Sequence, residues 1–171
     1  LDDLGVNPSG LICLDAGAST GGFTDCLLQH GAAKIYAIDV GHGQFHPRLR
    51  HDPRVVLMEK TNLRYLESLP EPVDLAVIDV SFISLRLVLP AVVSLLSKGG
   101  VILALVKPQF ELSPKEVKKG VVRDDRLRAK AVQGVAQAAV KLGLKVRGEA
   151  PARIPGPKGN REIFLLLQIE K

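Results

Sequence analysis

Apolar residues fall into seven short runs along the chain, most of them separated by segments with helical spacing. Short runs rich in Val, Leu and Ile are typical of strands buried in a parallel sheet. The sequence predicts strands over residues 11–15, 34–40, 54–59, 73–80, 101–107, 144–150 and 162–169. It predicts helices over 21–30, 47–50, 84–97 and 124–142, and a helical turn over 63–69.

Strands and helices alternate until the last two strands, which have no helix between them. The loop over 151–160 is too short for a crossover, so we expect that pair to be antiparallel. The sequence therefore predicts an α/β, Rossmann-like fold with a seven-stranded, mostly parallel sheet and one antiparallel strand. Pro90 lies inside the third predicted helix, and a proline there costs about 3 kcal/mol. A helix start near Leu89 is the alternative to one at Ser84.

The composition indicates a globular protein without disulfides. A length of 171 residues favours one domain over 1–171, and Leu instead of Met at position 1 suggests a fragment. Cys13 and Cys26 are expected to be free thiols, which favours a cytoplasmic location. No apolar run is long enough to span a bilayer, so no membrane partner is expected. The net charge of +5 mildly favours an anionic partner such as nucleic acid.

A glycine-rich turn follows the first predicted strand. Its pattern Gly17-x-Ser19-x-x-Gly22 is close to the dinucleotide fingerprint, but Ser19 takes the place of the glycine that approaches a pyrophosphate. Asp39 ends the second strand, where a carboxylate can bind both ribose hydroxyls. These residues fit S-adenosylmethionine, with Asp15 meeting its ammonium group directly or through water. The alternative is a tight turn without a ligand.

The remaining cofactor candidates lie on the same predicted sheet edge. Asn62 follows the third strand, and its amide can donate to and accept from an adenine edge, although a surface turn explains it equally well. The predicted cofactor-binding residues are Asp15, Gly17, Ser19, Gly21, Gly22, Phe23, Asp39, Val40, Asn62 and Asp79.

Three ionisable residues lie at the ends of later strands. Asp79 and Lys107 end parallel strands, and Glu162 begins the antiparallel strand, so all three are expected beside the glycine turn. A neutral lysine amine can take the proton of a hydroxyl, and carboxylates beside it fix its direction. The alternatives are a strand-end cap, a solvated turn and an exposed hairpin residue.

With these residues in place, the chain resembles the TlyA branch of the FtsJ-like ribose 2′-O-methyltransferases. The matching segments cover residues 14–25, 79–84, 106–111 and 159–162. The resemblance implies the S-adenosylmethionine-dependent methyltransferase fold, rRNA cytidine as substrate and a Lys-Asp-Lys-Glu tetrad. Asp79, Lys107 and Glu162 match its last three members. We expect the first lysine, and the N-terminal RNA-binding module of the family, to be absent from this chain.

The resemblance also implies rRNA or ribosomal subunits as partners. Basic side chains predicted to meet phosphates are Lys115, Lys118, Lys119, Arg123, Lys158 and Arg161. The alternative for the basic loop is a solvated hinge. No histidine spacing indicates a metal site. Two other function classes stay open: a membrane-active haemolysin, a label used in the family, and a non-catalytic RNA-binding or ribosome-assembly factor.

Overall fold

The computed structural model describes residues 1–170 and contains one seven-stranded sheet. Its strands are β1 Ile12–Ala16, β2 Lys34–Ile38, β3 Val55–Met58, β4 Val73–Ile78, β5 Leu96–Val106, β6 Leu144–Pro151 and β7 Ile163–Ile169. The order across the sheet is β3-β2-β1-β4-β5-β7-β6. β1 to β5 are parallel, and β7 runs antiparallel to both of its neighbours. The predicted fold class is confirmed.

Helices cover both faces of the sheet. They are α1 Gly22–Gln29, α2 Pro47–Arg50, α3 Leu85–Leu95, α4 Pro108–Glu111 and α5 Asp125–Lys141. α3 and α5 pack on one face through residues such as Val88 and Val135, and α1 packs on the other through Leu27. Strands in the middle of the sheet, such as β1 and β4, are buried on both faces for this reason and lack the alternation of a half-exposed strand, whereas the edge strand β6 alternates.

The start of α3 shows tertiary contacts overriding a local signal. The helix begins at Leu85 with Ser84 as its N-cap, and it continues through Pro90. Pro90 is exposed, so water can reach the carbonyl that its ring leaves unbonded. The cap and the buried Leu85 hold the first turn in place. The alternative start at Leu89 is therefore wrong.

Two predicted boundaries after α3 are also wrong. β5 begins at Leu96, whereas the predicted helix ended at residue 97 and the predicted strand began at residue 101, after Gly99 and Gly100. The reason is that Leu96 already pairs with Val73 of β4. The register shifts before the next pair, Leu75 with Val101, and this irregularity accommodates the two glycines. The predicted loop after β5 contains the short helix α4.

Parallel order reverses at β1, which lies between β2 and β4. In open α/β sheets the crevice at such a switch point, outside the carboxyl ends of the strands, is where ligands bind. In the part of the chain that the structure describes, no helix is long and apolar enough to cross a membrane.

Candidate active site

The glycine turn presses directly against the end of β4. Gly17 has a φ of +87°, and a Cβ on it would lie 2.3 Å from the carbonyl oxygen of Asp79. Its backbone amide and that of Ala18 both donate to the carbonyl of Ile38, at the end of β2. Only glycine fits at this position, because any other residue would be strained at this φ and its Cβ would overlap β4. The turn is thereby fixed to both strands that flank β1.

Asp39 holds the turn from the side of β2. Its Oδ2 accepts the amide of Ser19 at 2.7 Å, and its Oδ1 accepts the amide of Gly41 at 2.8 Å. Ser19 has a φ of +51°, an uncommon conformation for a residue with a side chain, and the Asp39 contact supports it. Each carboxylate oxygen has a further lone pair, so Asp39 can also accept hydrogen bonds from ribose hydroxyls.

A cavity of about 340 Å³ opens at this edge of the sheet. Six of the predicted cofactor residues line it: Gly17, Ser19, Asp39, Val40, Asn62 and Asp79. Asn62 is a turn residue, since its Oδ1 caps the turn Leu63–Tyr65 by accepting from Arg64 at 3.1 Å, and its contact with an adenine edge stays a prediction. Its Nδ2 is the group that remains to donate to a ligand. The sheet edge thus carries a nucleoside-sized cavity.

A second cavity of about 320 Å³ lies at the N-terminus of α1. Gly22 and Phe23 line it, together with Gly17, Ser19 and Asp79. Gly21 lines neither cavity. It is the N-cap of α1, and a Cβ on it would lie 2.5 Å from Leu49 Cδ1, so its closest neighbour is core.

Asp15 lies beneath the turn, without solvent exposure. Its Oδ2 accepts from the Thr24 hydroxyl at 2.7 Å, whereas its Oδ1 has no hydrogen-bond partner among residues 1–170. Burial raises the pKa of Asp15 to about 6, because the charged form loses hydration. Asp15 lines none of the cavities at this edge of the sheet, so its unpaired oxygen could meet an ammonium ligand only through water.

Lys107 and Asp79 form the closest charged pair of the site. The Lys107 ammonium lies 2.6 Å from Asp79 Oδ1, and it donates to the Ser81 hydroxyl at 3.0 Å. The Lys107 side chain is only 11% exposed. The expected meeting of the ends of β4 and β5 is therefore observed, and Ser81 is an additional partner that the sequence analysis missed.

Glu162 lies across from this pair. Val106 pairs with Ile163 in the antiparallel ladder, so the next step of that register sets Lys107 opposite Glu162. Glu162 is buried and accepts from Gln109 Nε2 at 3.0 Å, so it is not the exposed hairpin residue of the alternative. Within residues 1–170 it forms no ion pair with Lys107. Asp79 and Glu162 instead share the wall of a third cavity, of about 550 Å³.

The six predicted RNA-binding side chains are all exposed, and none of them pairs with a carboxylate in the described part of the chain. Lys158 and Lys119 lie together, because Lys158 Nζ donates to the Lys119 carbonyl at 3.1 Å. Asn160 joins their loops: it is buried, it accepts from Val122 N, and it donates to the carbonyls of Gly120 and Pro157. Arg161 lies apart from these lysines, beside α5.

The residues that sequence reasoning missed support others. Thr24 binds Asp15, Ser81 binds Lys107, Gln109 binds Glu162, and Asn160 joins the two basic loops. All four lie within the segments that carried the family resemblance, so their position in those segments was the available signal. No group of three or more His, Cys, Asp or Glu residues able to hold a metal ion occurs within residues 1–170.

Fold and site together define an S-adenosylmethionine-dependent methyltransferase fold. A methyltransferase structure from Mesorhizobium loti has the same fold at 14% identity, with a TM-score of 0.74 over 98% of this chain and 94% of that one. The model of the FtsJ-like methyltransferase family matches residues 1–169. The chain belongs to the FtsJ-like methyltransferase family.

Two proteins are more similar to the chain. The 16S/23S rRNA (cytidine-2′-O)-methyltransferase TlyA of Mycobacterium tuberculosis H37Rv is 50% identical over 99% of this chain and 65% of its own length. A solved structure from Streptococcus thermophilus that carries a provisional hemolysin name is 42% identical. Its TM-score is 0.98, over all of this chain and 63% of that one. The chain thus spans slightly less than two thirds of the length of both.

Proposed function

We propose that the chain carries the catalytic site of an S-adenosylmethionine-dependent ribose 2′-O-methyltransferase that acts on cytidine in rRNA. The observation that carries this proposal is the Lys107–Asp79 pair, 2.6 Å apart, in which Asp79 lines the glycine-turn cavity. The activity of the relative from M. tuberculosis supports the choice of substrate. When bound, S-adenosylmethionine supplies an electrophilic methyl group.

The residues around the first cavity fit that cofactor. Asp39 is placed to accept from the ribose hydroxyls, and Asn62 Nδ2 is available to an adenine edge. Gly17 leaves room at the junction with Asp79, where a side chain would fill the space. The unpaired Oδ1 of Asp15 provides a negative charge for an ammonium group through an intervening water. These groups would bind the cofactor, and none of them is a candidate base.

The remaining residues handle the acceptor. In its neutral amine form, Lys107 Nζ would take the proton of the ribose 2′-hydroxyl while that oxygen attacks the methyl carbon and the methyl–sulfur bond of the cofactor breaks. Asp79 and Ser81 hold Nζ in one direction through their contacts of 2.6 and 3.0 Å. Glu162, fixed by Gln109, is a second carboxylate on the wall that the acceptor would meet. Positioning of this kind supplies much of the acceleration in a displacement reaction.

The exposed basic side chains support an RNA acceptor. Lys119 and Lys158 present two unpaired cations on loops that Asn160 fixes together, next to the segment that leads to Glu162. Contacts of this type bind phosphates without reading sequence, and each one lost lowers the salt dependence of binding. Replacing both lysines with alanine should weaken RNA binding and reduce the slope of its logarithm against log salt. An unchanged slope would remove these residues from the RNA surface.

The proposal is tested by methylation of purified ribosomal subunits with isotopically labelled S-adenosylmethionine, followed by mass mapping of the rRNA. We expect label on the 2′-oxygen of a cytidine ribose. Calorimetry of the same protein separates the alternatives. Cofactor binding without label in any rRNA favours a non-catalytic RNA-binding factor, whereas absence of cofactor binding by folded protein contradicts the proposal. A cytoplasmic location and the one-domain organisation over 1–171 stay predictions.

A further inference from the structure

One buried carboxylate near the site has no part in the mechanism above. Glu111 ends α4, and its side chain is only 2% exposed. Its Oε2 accepts from the Ser84 hydroxyl at 2.6 Å, and its Oε1 accepts from the backbone amide of Leu85 at 2.7 Å. Arg86 adds an ion contact of 3.5 Å to Oε2 and donates to the Glu111 carbonyl at 2.9 Å. Both carboxylate oxygens are therefore occupied.

These contacts connect two segments that both reach Lys107. On one side, α4 begins directly after Lys107, whose carbonyl accepts from the Phe110 amide at 2.8 Å. On the other side, the segment 79–84 carries Asp79 and Ser81, the two partners of the Lys107 ammonium. Glu111 binds the far end of that segment at Ser84. Lys107 and its partners are thus held in a closed loop of contacts that Glu111 completes.

Burial of the Glu111 carboxylate costs hydration free energy, so its position in the fold needs an explanation other than stability. Burial raises the pKa of Glu111, since the ionised form loses hydration, while the Ser84 and Leu85 hydrogen bonds and Arg86 act in the opposite direction. A buried charge with satisfied oxygens contributes little net stability compared with an apolar group of similar volume, but removing its partners is costly. The carboxylate at this position is therefore better explained by the geometry it imposes than by stability.

We infer that Glu111 is a positioning residue of the methyl transfer: by joining α4 to the first turn of α3, it fixes the Lys107 ammonium against Asp79 and Ser81. The inference rests on the proposed function. Loss of Glu111 removes the contacts that hold the Ser84 end of the segment 79–84 to α4, so the position of Asp79 and Ser81 against Lys107 is less fixed. The cofactor cavity residues Asp39 and Asn62 are not affected. The consequence is a lower transfer rate at unchanged cofactor affinity.

The test compares Glu111→Gln with Asp74→Ala in the intact protein. Asp74 is a partly buried carboxylate that accepts from Ile12 N and the Ser97 hydroxyl at the opposite end of the sheet, so its loss affects stability only. Single-turnover methylation, with RNA limiting, reports the rate per folded molecule. We expect Glu111→Gln to lower that rate roughly 10- to 100-fold, as misplacement by a fraction of an ångström does. The calorimetric cofactor Kd should not change, and Asp74→Ala should keep the wild-type rate.

A double-mutant cycle separates positioning from general destabilisation. If Glu111 acts through the segment that carries Ser81, the rate effects of Glu111→Gln and Ser81→Ala should be strongly non-additive, and those of Asp74→Ala and Ser81→Ala additive. Additive effects of the first pair, or a wild-type rate for Glu111→Gln, would overturn the inference.

A second readout needs no activity. In lysine-labelled protein, the ¹³Cε resonance of Lys107, assigned with Lys107→Arg, should shift in Glu111→Gln and stay in place in Asp74→Ala. An unshifted resonance in Glu111→Gln overturns the inference even if the wild-type protein proves inactive on rRNA. Inactive wild-type protein with a shifted resonance contradicts the proposed function alone.

Discussion

The two sides of the site are built in different ways. On the cofactor side, at the ends of β1 and β2, the contacts are mostly backbone: the amides of Gly17, Ser19 and Gly41 bind Ile38 or Asp39. On the transfer side, at the ends of β4, β5 and β7, the contacts join side chains, as in Lys107 with Asp79 and Glu162 with Gln109.

This difference separates binding from chemistry. The cradle depends on glycines and backbone amides of the turn after β1 and on Asp39, which follows the neighbouring strand β2, so a short motif and the pairing of two adjacent strands determine its shape. The transfer side depends on side chains that meet only after three distant segments have packed. Substitutions on the transfer side should therefore change rate without affinity, and substitutions in the cradle should change affinity.

The largest effect should come from Lys107→Ala, which removes the proposed base. We expect the methylation rate at saturating cofactor to fall by roughly 10²- to 10⁴-fold, the usual contribution of a general base. Calorimetric affinity for S-adenosylmethionine should stay at the wild-type value, because Lys107 lines neither cavity at the glycine turn. Lys98→Ala, at the opposite end of β5 and exposed, is the matched control. Retained activity in Lys107→Ala would end its assignment as base.

Gly17→Ala tests the point where the two sides touch. The new methyl group would overlap the Asp79 carbonyl, at 2.3 Å, so we expect lower stability and at least about tenfold weaker cofactor binding, or 1.4 kcal/mol. Gly143→Ala is the control, because Gly143 has a similar φ of +80° but no neighbour within 4 Å of a Cβ. Gly143→Ala should lower the free energy of unfolding only by the cost of a left-handed backbone conformation, roughly 1–2 kcal/mol. Equal losses in the two variants would show that the contact with β4 is unimportant.

The last effect is on stability alone, and it concerns pH and the cofactor side. The pKa of Asp15 is raised to about 6 from an ordinary 3.8. Between about pH 4 and 6, Asp15 is therefore still protonated in the native state but already ionised in the unfolded state. Stability should fall as pH rises through that window, by up to about 3 kcal/mol. Asp15→Asn should lack this slope in urea unfolding.

Glu116→Gln is the control of opposite sign. The Lys130 ammonium, with Ser113, lowers the pKa of Glu116 to about 2, so its contribution is lost as pH falls from about 4.5 to 2. Identical pH profiles for wild type and Asp15→Asn would show that Asp15 does not titrate in this range.

Sequence reasoning identified the fold and the family, and it failed where contacts between distant segments decide. The seven strands and the antiparallel final pair are confirmed. The sequence predicted a helix from Ser84 and left Leu89 as an alternative start, and the contacts of Glu111, distant in the chain, with Ser84 and Leu85 hold the first of these. The early start of β5 was not predicted, because Gly99 and Gly100 are unfavourable in a strand and Leu96 joins the strand only through its pairing with Val73 of β4. The roles of the site residues stay predictions.

The amino-acid sequence by itself determined the order of strands and helices and the glycine turn, because periodicity, glycine and capping act over a few residues. It also indicated Asp39 at the end of the next strand, but the contact of Asp39 with the turn depends on the pairing of β1 with β2. Only the tertiary structure decided that Lys107 binds Asp79 and Ser81, that Glu162 faces Gln109, and that Asp15 is buried with one oxygen unpaired. Those facts depend on strand register and on packing between segments distant in the chain. No local pattern encodes these distances.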